Sequence, residues 1–221
     1  MIKISPSTNP CDEDKLIYYA KELQDFGVQF IHCDVMDGEF VENKCLPIEL
    51  IEEISKNTQL GLDIHLMVNN PQKEINKYIK LPANYITTHF EAYANKADII
   101  SVIDLIHKED ILAGLSIKPN TNINSILPYL PYIDLILIMS VEPGASGQTF
   151  IESTIPKIKQ ISEFIKANGL RVKIEVDGGI NKENIRNIAN AGADMVVIGS
   201  AIYNAENRKE FIDYIQGVEH I

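Results

Sequence analysis

Two stretches of this chain set an imidazole, a carboxylate and a thioether two residues apart: His32-Cys33-Asp34-Val35-Met36-Asp37-Gly38 and Asp63-Ile64-His65-Leu66-Met67. Side chains on a β-strand alternate between faces, so His32, Asp34 and Met36 share one side, as do Asp63, His65 and Met67. A third stretch, Glu175-Val176-Asp177, runs straight into Gly178-Gly179. Together His32, Asp34, His65 and Asp177 make an N2O2 donor set that suits one divalent ion, zinc, iron, manganese or cobalt. A lone strand-end histidine is more often a hydrogen-bonded structural group, and Asp177 before two glycines could serve only as a turn former. Convergence of four such residues from three strands points instead to a metal.

The two carboxylates suggest the chemistry. Asp34 and Asp177, on opposite sides of a bound substrate, could each remove or deliver a proton at one carbon, which is what inversion of a stereocentre next to a carbonyl requires. A free aspartate, with a pKa of about 3.9, is a weak base for such a proton, so the scheme needs a cation to stabilise the enediolate. Met36, Met67 and Met139, ordinary core fillers elsewhere, could roof that intermediate against water. Glycine amides in Asp177-Gly178-Gly179-Ile180-Asn181 and in Gly199-Ser200-Ala201-Ile202 could cradle a phosphate. The small-residue loop from Met139 to Phe150, with Gly144 and Gly147, could act as a lid that adds further amides.

These residues need strands to carry them. Short apolar runs at 2–5, 28–34, 61–68, 85–89, 112–117, 133–141, 172–177 and 195–199 alternate with stretches of helical period, for example 12–26, 71–80 and 151–168. That is the pattern of βα units around a parallel sheet. Eight units in 221 residues fit a compact (β/α)8 barrel, since such barrels begin at about 200 residues. An open doubly wound sheet would be expected to carry a Gly-rich turn after its first strand, where this chain has Ser5-Pro6-Ser7. The expectation is one α/β domain over 1–221, a (β/α)8 TIM barrel with its active site at the C-terminal ends of the strands.

Composition narrows the partners. Twenty Lys and Arg against 31 Asp and Glu give a net charge of −11, which argues against nucleic acid. The longest apolar runs, such as 133–141 with Asp134 inside, fall short of the ~20 residues of a membrane helix. No apolar leader follows Met1, and the three cysteines, Cys11, Cys33 and Cys45, are too few for a disulfide framework. A reduced, cytoplasmic protein is expected. Amides rather than lysines would then hold the phosphate.

In order along the chain, the motifs resemble those of the ribulose-phosphate 3-epimerases. They comprise Ser5-Pro6-Ser7, His32-x-Asp34-x-Met36-Asp37-Gly38-x-Phe40-Val41-x-Asn43, Asp63-x-His65-Leu66-Met67-Val68, Thr88-His89-x-Glu91-Ala92 and Pro119-x-Thr121. Met139-x-Val141-x-Pro143-Gly144-x-x-Gly147-Gln148-x-Phe150, Val176-Asp177-Gly178-Gly179-Ile180 and Gly199-Ser200-Ala201-Ile202 complete the series. The resemblance implies a metal-dependent barrel that interconverts ribulose 5-phosphate and xylulose 5-phosphate in the pentose phosphate route. It implies metal ligation by His32, Asp34, His65 and Asp177, with Asp34 and Asp177 as the catalytic acid/base pair. Substrate contacts would come from Ser7, His65, Met36, Met67 and Met139, with Gly144, Gly147, Gly178, Gly179, Gly199 and Ser200 toward the phosphate.

The chain departs from the family's usual pattern in three loops, at Thr8-Asn9-Pro10-Cys11 after the first strand, at Glu39 and Glu42 after the second, and at Glu142, Ala145 and Ser146 after the sixth. No proposed ligand or acid/base residue is lost. The changes leave room for a six-carbon ketose phosphate such as allulose 6-phosphate, or for a sugar-phosphate-binding barrel without turnover. A decarboxylase or synthase barrel would need a strand-end lysine, and neither Lys118 nor Lys173 stands in an Asp-x-Lys-x-x-Asp arrangement. Homo-oligomerisation is expected, with Leu46, Pro47 and the stretch from Tyr129 to Tyr132 as contacts.

Overall fold

The computed structural model of the chain describes residues 2–219. Nine strands form one sheet: β1 (Lys3–Pro6), β2 (Phe30–Asp37), β3 (Lys44–Cys45), β4 (Gly61–Met67), β5 (Ala83–His89), β6 (Leu112–Ile117), β7 (Leu135–Met139), β8 (Lys173–Asp177) and β9 (Met195–Ile198). Their order is β1-β9-β8-β7-β6-β5-β4-β2-β3, parallel throughout except for β3 against β2. The sheet curls until its ends meet. There Ser7 bridges His32, and the Thr8 N–H donates to the His32 carbonyl at 2.9 Å. The ladder between β1 and β2 is one bridge long, so this seam of the barrel wall is not a continuous ladder.

The helices are α1 (Leu16–Asp25), α2 (Ile48–Asn57), α3 (Pro71–Tyr78), α4 (Ala97–His107), α5 (Thr154–Ala167), α6 (Ile185–Ala191), α7 (Ser200–Tyr203) and α8 (Arg208–Gln216). Local chemistry sets their ends. Asn70 caps α3 by accepting from the Lys73 N–H, with Pro71 at the first turn, and Asn207 caps α8 through the Glu210 N–H. The outward sides of the strands, for example Ile31, Ile64, Ile136 and Val196, pack with Leu23, Ile54, Ile103 and Ile161 of the helices into one core. The inward sides form separate clusters: Leu135, Leu137, Met139, Val141 and Met195 in one, Met36, Val41 and Met67 in the other. Burial of both faces of a parallel sheet is why the strands read as nearly continuous apolar runs.

Four details differ from the sequence expectations. Between β6 and β7 the chain makes two 3-10 segments, Ile123–Ser125 and Leu127–Tyr132, instead of a helix. Pro128 and Pro131 lack the N–H groups an α-helix needs, and their rings clash with the preceding turn. β2 begins two residues later and ends three residues later than the run 28–34, so Met36 lies on the strand itself. The short strand β3, too brief to show any period, pairs Met36 with Cys45. Leu46, named as a surface contact, is 3% exposed and belongs to the core, whereas Tyr132 is 54% exposed.

Candidate active site at the C-terminal ends of the strands

Parity places the expected residues. Asp34 faces His65 across the β2–β4 ladder, and Met139 stands beside Asp177 across β7–β8. Ser7 Oγ donates to Asp34 Oδ2 at 2.6 Å. His65 Nδ1 lies 3.2 Å and His32 Nε2 3.4 Å from Asp34 Oδ1, and the two nitrogens are 3.2 Å apart. One donor atom from each of His32, Asp34, His65 and Asp177 lies within 4.8 Å of every other. Atoms bonded at about 2.0–2.2 Å to one ion stand at most about 4.4 Å apart, so small side-chain adjustments let this set close on a divalent cation.

Burial makes the four groups electrostatically unlike. Burial opposes ionisation of Asp34, but charge on His32 and hydrogen bonds from His32 and His65 outweigh it and hold the carboxyl well below the usual range. Burial and the neighbouring Asp34 charge push Asp177 up to about 7. His65 is pushed down to about 4, chiefly by burial and only partly offset by its bond to Asp34, so it is the neutral ligand a metal requires. Two carboxyls with opposite proton affinities on one site are the usual mark of an acid/base pair.

A cavity of about 170 Å³ opens over this cluster. Asp34, Asp177, Ser7, Met36, Met67, Met139, Gly144, Gly147, Gly178, Gly179, Gly199 and Ser200 all line it. His32 and His65, fully buried, are not among the residues that line it. Among the described residues no Lys or Arg lines the cavity. Glu142 and Gln148 of the loop after β7, Asn181 beyond the glycine pair, and Asn9 after β1 also line it. The loop after β7 is cross-braced: Asn43 Nδ2 donates to the Gly144 carbonyl at 2.7 Å, and Gln148 Nε2 to the carbonyls of Glu142 and Ala145 at 2.7 and 2.9 Å.

The glycines differ in what they tolerate. Gly179 has φ +66, and a Cβ there would stand 2.3 Å from the Phe150 nitrogen and 2.9 Å from the Gln148 oxygen, both backbone atoms that cannot swing away. Gly147 has φ +78 with nothing within 4 Å of the same position. Gly179→Ala is therefore expected to cost about 3 kcal/mol and lower Tm by about 10 °C, and Gly147→Ala only about 1 kcal/mol. Thermal melts of the two variants check the contrast.

The profile of the ribulose-phosphate 3 epimerase family matches residues 3–203. The chain belongs to that family. Ribulose-phosphate 3-epimerase of Bacillus subtilis (strain 168) is 37% identical, covering 98% of this chain and 99% of its own. The enzyme of the same name from Aquifex aeolicus (strain VF5) is 40% identical over 82% of this chain and 80% of its own. Among solved structures, a 3-hexulose-6-phosphate synthase superposes with a TM-score of 0.74 at 13% identity, covering 99% of this chain and 100% of its own. Orotidine 5'-phosphate decarboxylase from Pyrococcus horikoshii OT3 gives 0.66 at 17%, covering 97% and 100%. At such identities these two speak for the barrel fold alone. Lys173 lies at the opposite end of β8 from Asp177 and pairs with Asp194 at 2.8 Å.

The family motif Thr88-His89-x-Glu91 also acquires a location. His89, the last residue of β5, is fully buried with Nε2 2.8 Å from His65 Nε2. Its Nδ1 lies 3.3 Å from Glu91 Oε2, while Glu91 Oε1 accepts from the Lys118 N–H at 2.8 Å and from the Thr121 hydroxyl. Period-two parity applied to Tyr85, Thr87 and His89 is the signal that would have singled it out. Burial opposes ionisation of Glu91, but its hydrogen bonds from His89, Thr121 and Lys118 hold it down at about 2. A carboxyl lowered from its unfolded value stabilises the fold above about pH 4.5, and that contribution fades as pH falls toward 2. Glu91→Gln is thus expected to lose roughly 2 kcal/mol at pH 7, allowing for partial exposure, and markedly less at pH 3. Urea unfolding at the two pH values tests it.

Proposed function

We propose that the protein is a divalent-metal-dependent epimerase that inverts C3 of a ketose phosphate, interconverting ribulose 5-phosphate and xylulose 5-phosphate within one barrel domain. The observation that carries this reading is the Asp34 and Asp177 pair, two carboxyls of opposite proton affinity on the walls of one cavity. Membership of the family supports the substrate. One aspartate takes the C3 proton and the other returns one to the opposite face; the reverse reaction exchanges their roles. Ser7, donating to Asp34 Oδ2, keeps that carboxylate turned into the cavity. Met36, Met67 and Met139, all nearly inaccessible, keep water from the reacting carbon. The amides of Gly178, Gly179, Gly199 and Ser200 hold the phosphate, with the loop carrying Gly144 and Gly147 closing beside it.

A divalent ion, zinc, iron, manganese or cobalt, held by His32 Nε2, Asp34, His65 Nδ1 and Asp177, would supply positive charge for the carbonyl and hydroxyl oxygens as C3 is deprotonated. The unpaired thiols Cys11, Cys33 and Cys45 suit a reducing cytoplasm, and exposed Pro47 and Tyr132 are the contacts we assign to association of copies. Among the described residues no helix is long and apolar enough to cross a membrane. The test is incubation of the metal-loaded protein with ribulose 5-phosphate in D2O, followed by proton NMR. Deuterium entering C3 as xylulose 5-phosphate accumulates is the expected result. No exchange from loaded, folded protein would overturn the five-carbon substrate and turn attention to a six-carbon ketose phosphate.

A further inference from the structure

The chain His65, His89, Glu91 and Thr121 links the proposed metal ligands to residues that the reaction does not use. Its proton directions are set by what each atom can do. For Nδ1 of His65 to offer a lone pair beside Asp34 and His32, the ring proton must sit on Nε2. That proton needs an acceptor, and the atom 2.8 Å away is His89 Nε2. His89 can accept there only if its own proton is on Nδ1, and Nδ1 faces Glu91 Oε2 at 3.3 Å. Glu91 must then be ionised, and its other oxygen takes the Lys118 N–H and the Thr121 hydroxyl. Phe40 packs on the His89 ring, centroids 4.8 Å apart, and holds its plane. His32 has a shorter support of the same kind, with Nδ1 2.6 Å from Asp63 Oδ2.

We propose that His89, anchored by Glu91, is a positioning residue that fixes the tautomer and orientation of His65, so that Nδ1 is presented to a divalent ion. The inference rests on the metal-site reading above and extends it to two residues outside the donor set. Partners one shell out from a metal ligand typically change metal affinity 10–100-fold when removed. Glutamine at position 89 can place an amide oxygen close to where Nε2 stands, whereas phenylalanine fills the space without an acceptor.

The experiment measures the Co²⁺ dissociation constant of the chain and its variants by competition with a chromophoric chelator, together with the visible Co²⁺ spectrum. His89→Phe is expected to bind Co²⁺ 10–100-fold more weakly with an altered spectrum, Glu91→Gln about 10-fold more weakly, and His89→Gln within a few-fold of the unaltered chain. Circular dichroism in chelator confirms that each is folded; should His89→Phe not fold, Glu91→Gln against His89→Gln decides. Affinity unchanged within twofold in His89→Phe, or in Glu91→Gln if that variant decides, overturns this inference alone. An unaltered chain that binds no Co²⁺ overturns the metal site and this inference with it.

Discussion

Asp34→Asn and Asp177→Asn are each expected to lose about 10⁴-fold or more in kcat while remaining folded in chelator. Both substitutions preserve shape, so the loss would report proton transfer and charge rather than packing. The argument for two losses of similar size is that inversion uses one base and one acid from opposite faces, and neither can substitute for the other. The asparagine amide would also point an N–H at a site built for an anion, where Ser7 already directs a hydrogen bond at Asp34. Steady-state rates and C3 proton exchange in D2O distinguish the roles. Exchange surviving in one variant while epimerisation disappears would assign the retained aspartate as the base for that epimer. Near-normal turnover in either variant would sink the two-base scheme.

Removal of the ion is the second large effect. Around His32 and His65 the structure gathers buried Asp34, Asp63 and Glu175 and half-buried Asp177, a concentration of acids that desolvation disfavours. Both oxygens of Glu175 and Oδ1 of Asp63 find no hydrogen-bond partner among the described residues. Burial and the Asp63 charge raise Glu175 well above the usual carboxyl range. A cation bound by the folded chain and not by the unfolded one stabilises by mass action, about 4 kcal/mol at a thousandfold excess over Kd. Chelator treatment is therefore expected to abolish turnover and to lower Tm by about 10 °C, with both restored by adding back Zn²⁺, Mn²⁺, Fe²⁺ or Co²⁺. Calorimetry with each ion ranks them. A Tm indifferent to all four would remove the basis for a metal at this site.

The sequence by itself determined the strand series and the inward residues of its most polar strands. Parallel strands buried on both faces read as continuous apolar runs, and a His or Asp recurring with period two inside such a run can only belong to the side that faces the barrel interior. Hence Asp34, Asp63, His65 and Asp177 were legible before any coordinates. Strand ends are legible too where a glycine pair follows, as at Gly178 and Gly179. Local sequence was less informative where two features compete. The segment after β6 is apolar enough for a helix, but Pro128 and Pro131 impose tighter turns. The two residues of β3 carry no period at all.

What only the tertiary structure decided is which polar groups meet. His89 and Glu91 lie more than twenty residues from His65, and nothing in their spacing says that one imidazole supports the other. Curling of the sheet brings β4 beside β5 in the register that pairs His65 with Thr87, and the side chains of His65 and His89 then touch. The cavity has the same origin, since Asn43 reaches Gly144 across 101 residues of chain. The opposite proton affinities of Asp34 and Asp177 arise there as well. Both are aspartates at strand ends, and their difference comes from desolvation and from which neighbours the curled sheet sets against each, quantities that depend on three-dimensional distance rather than on residue type.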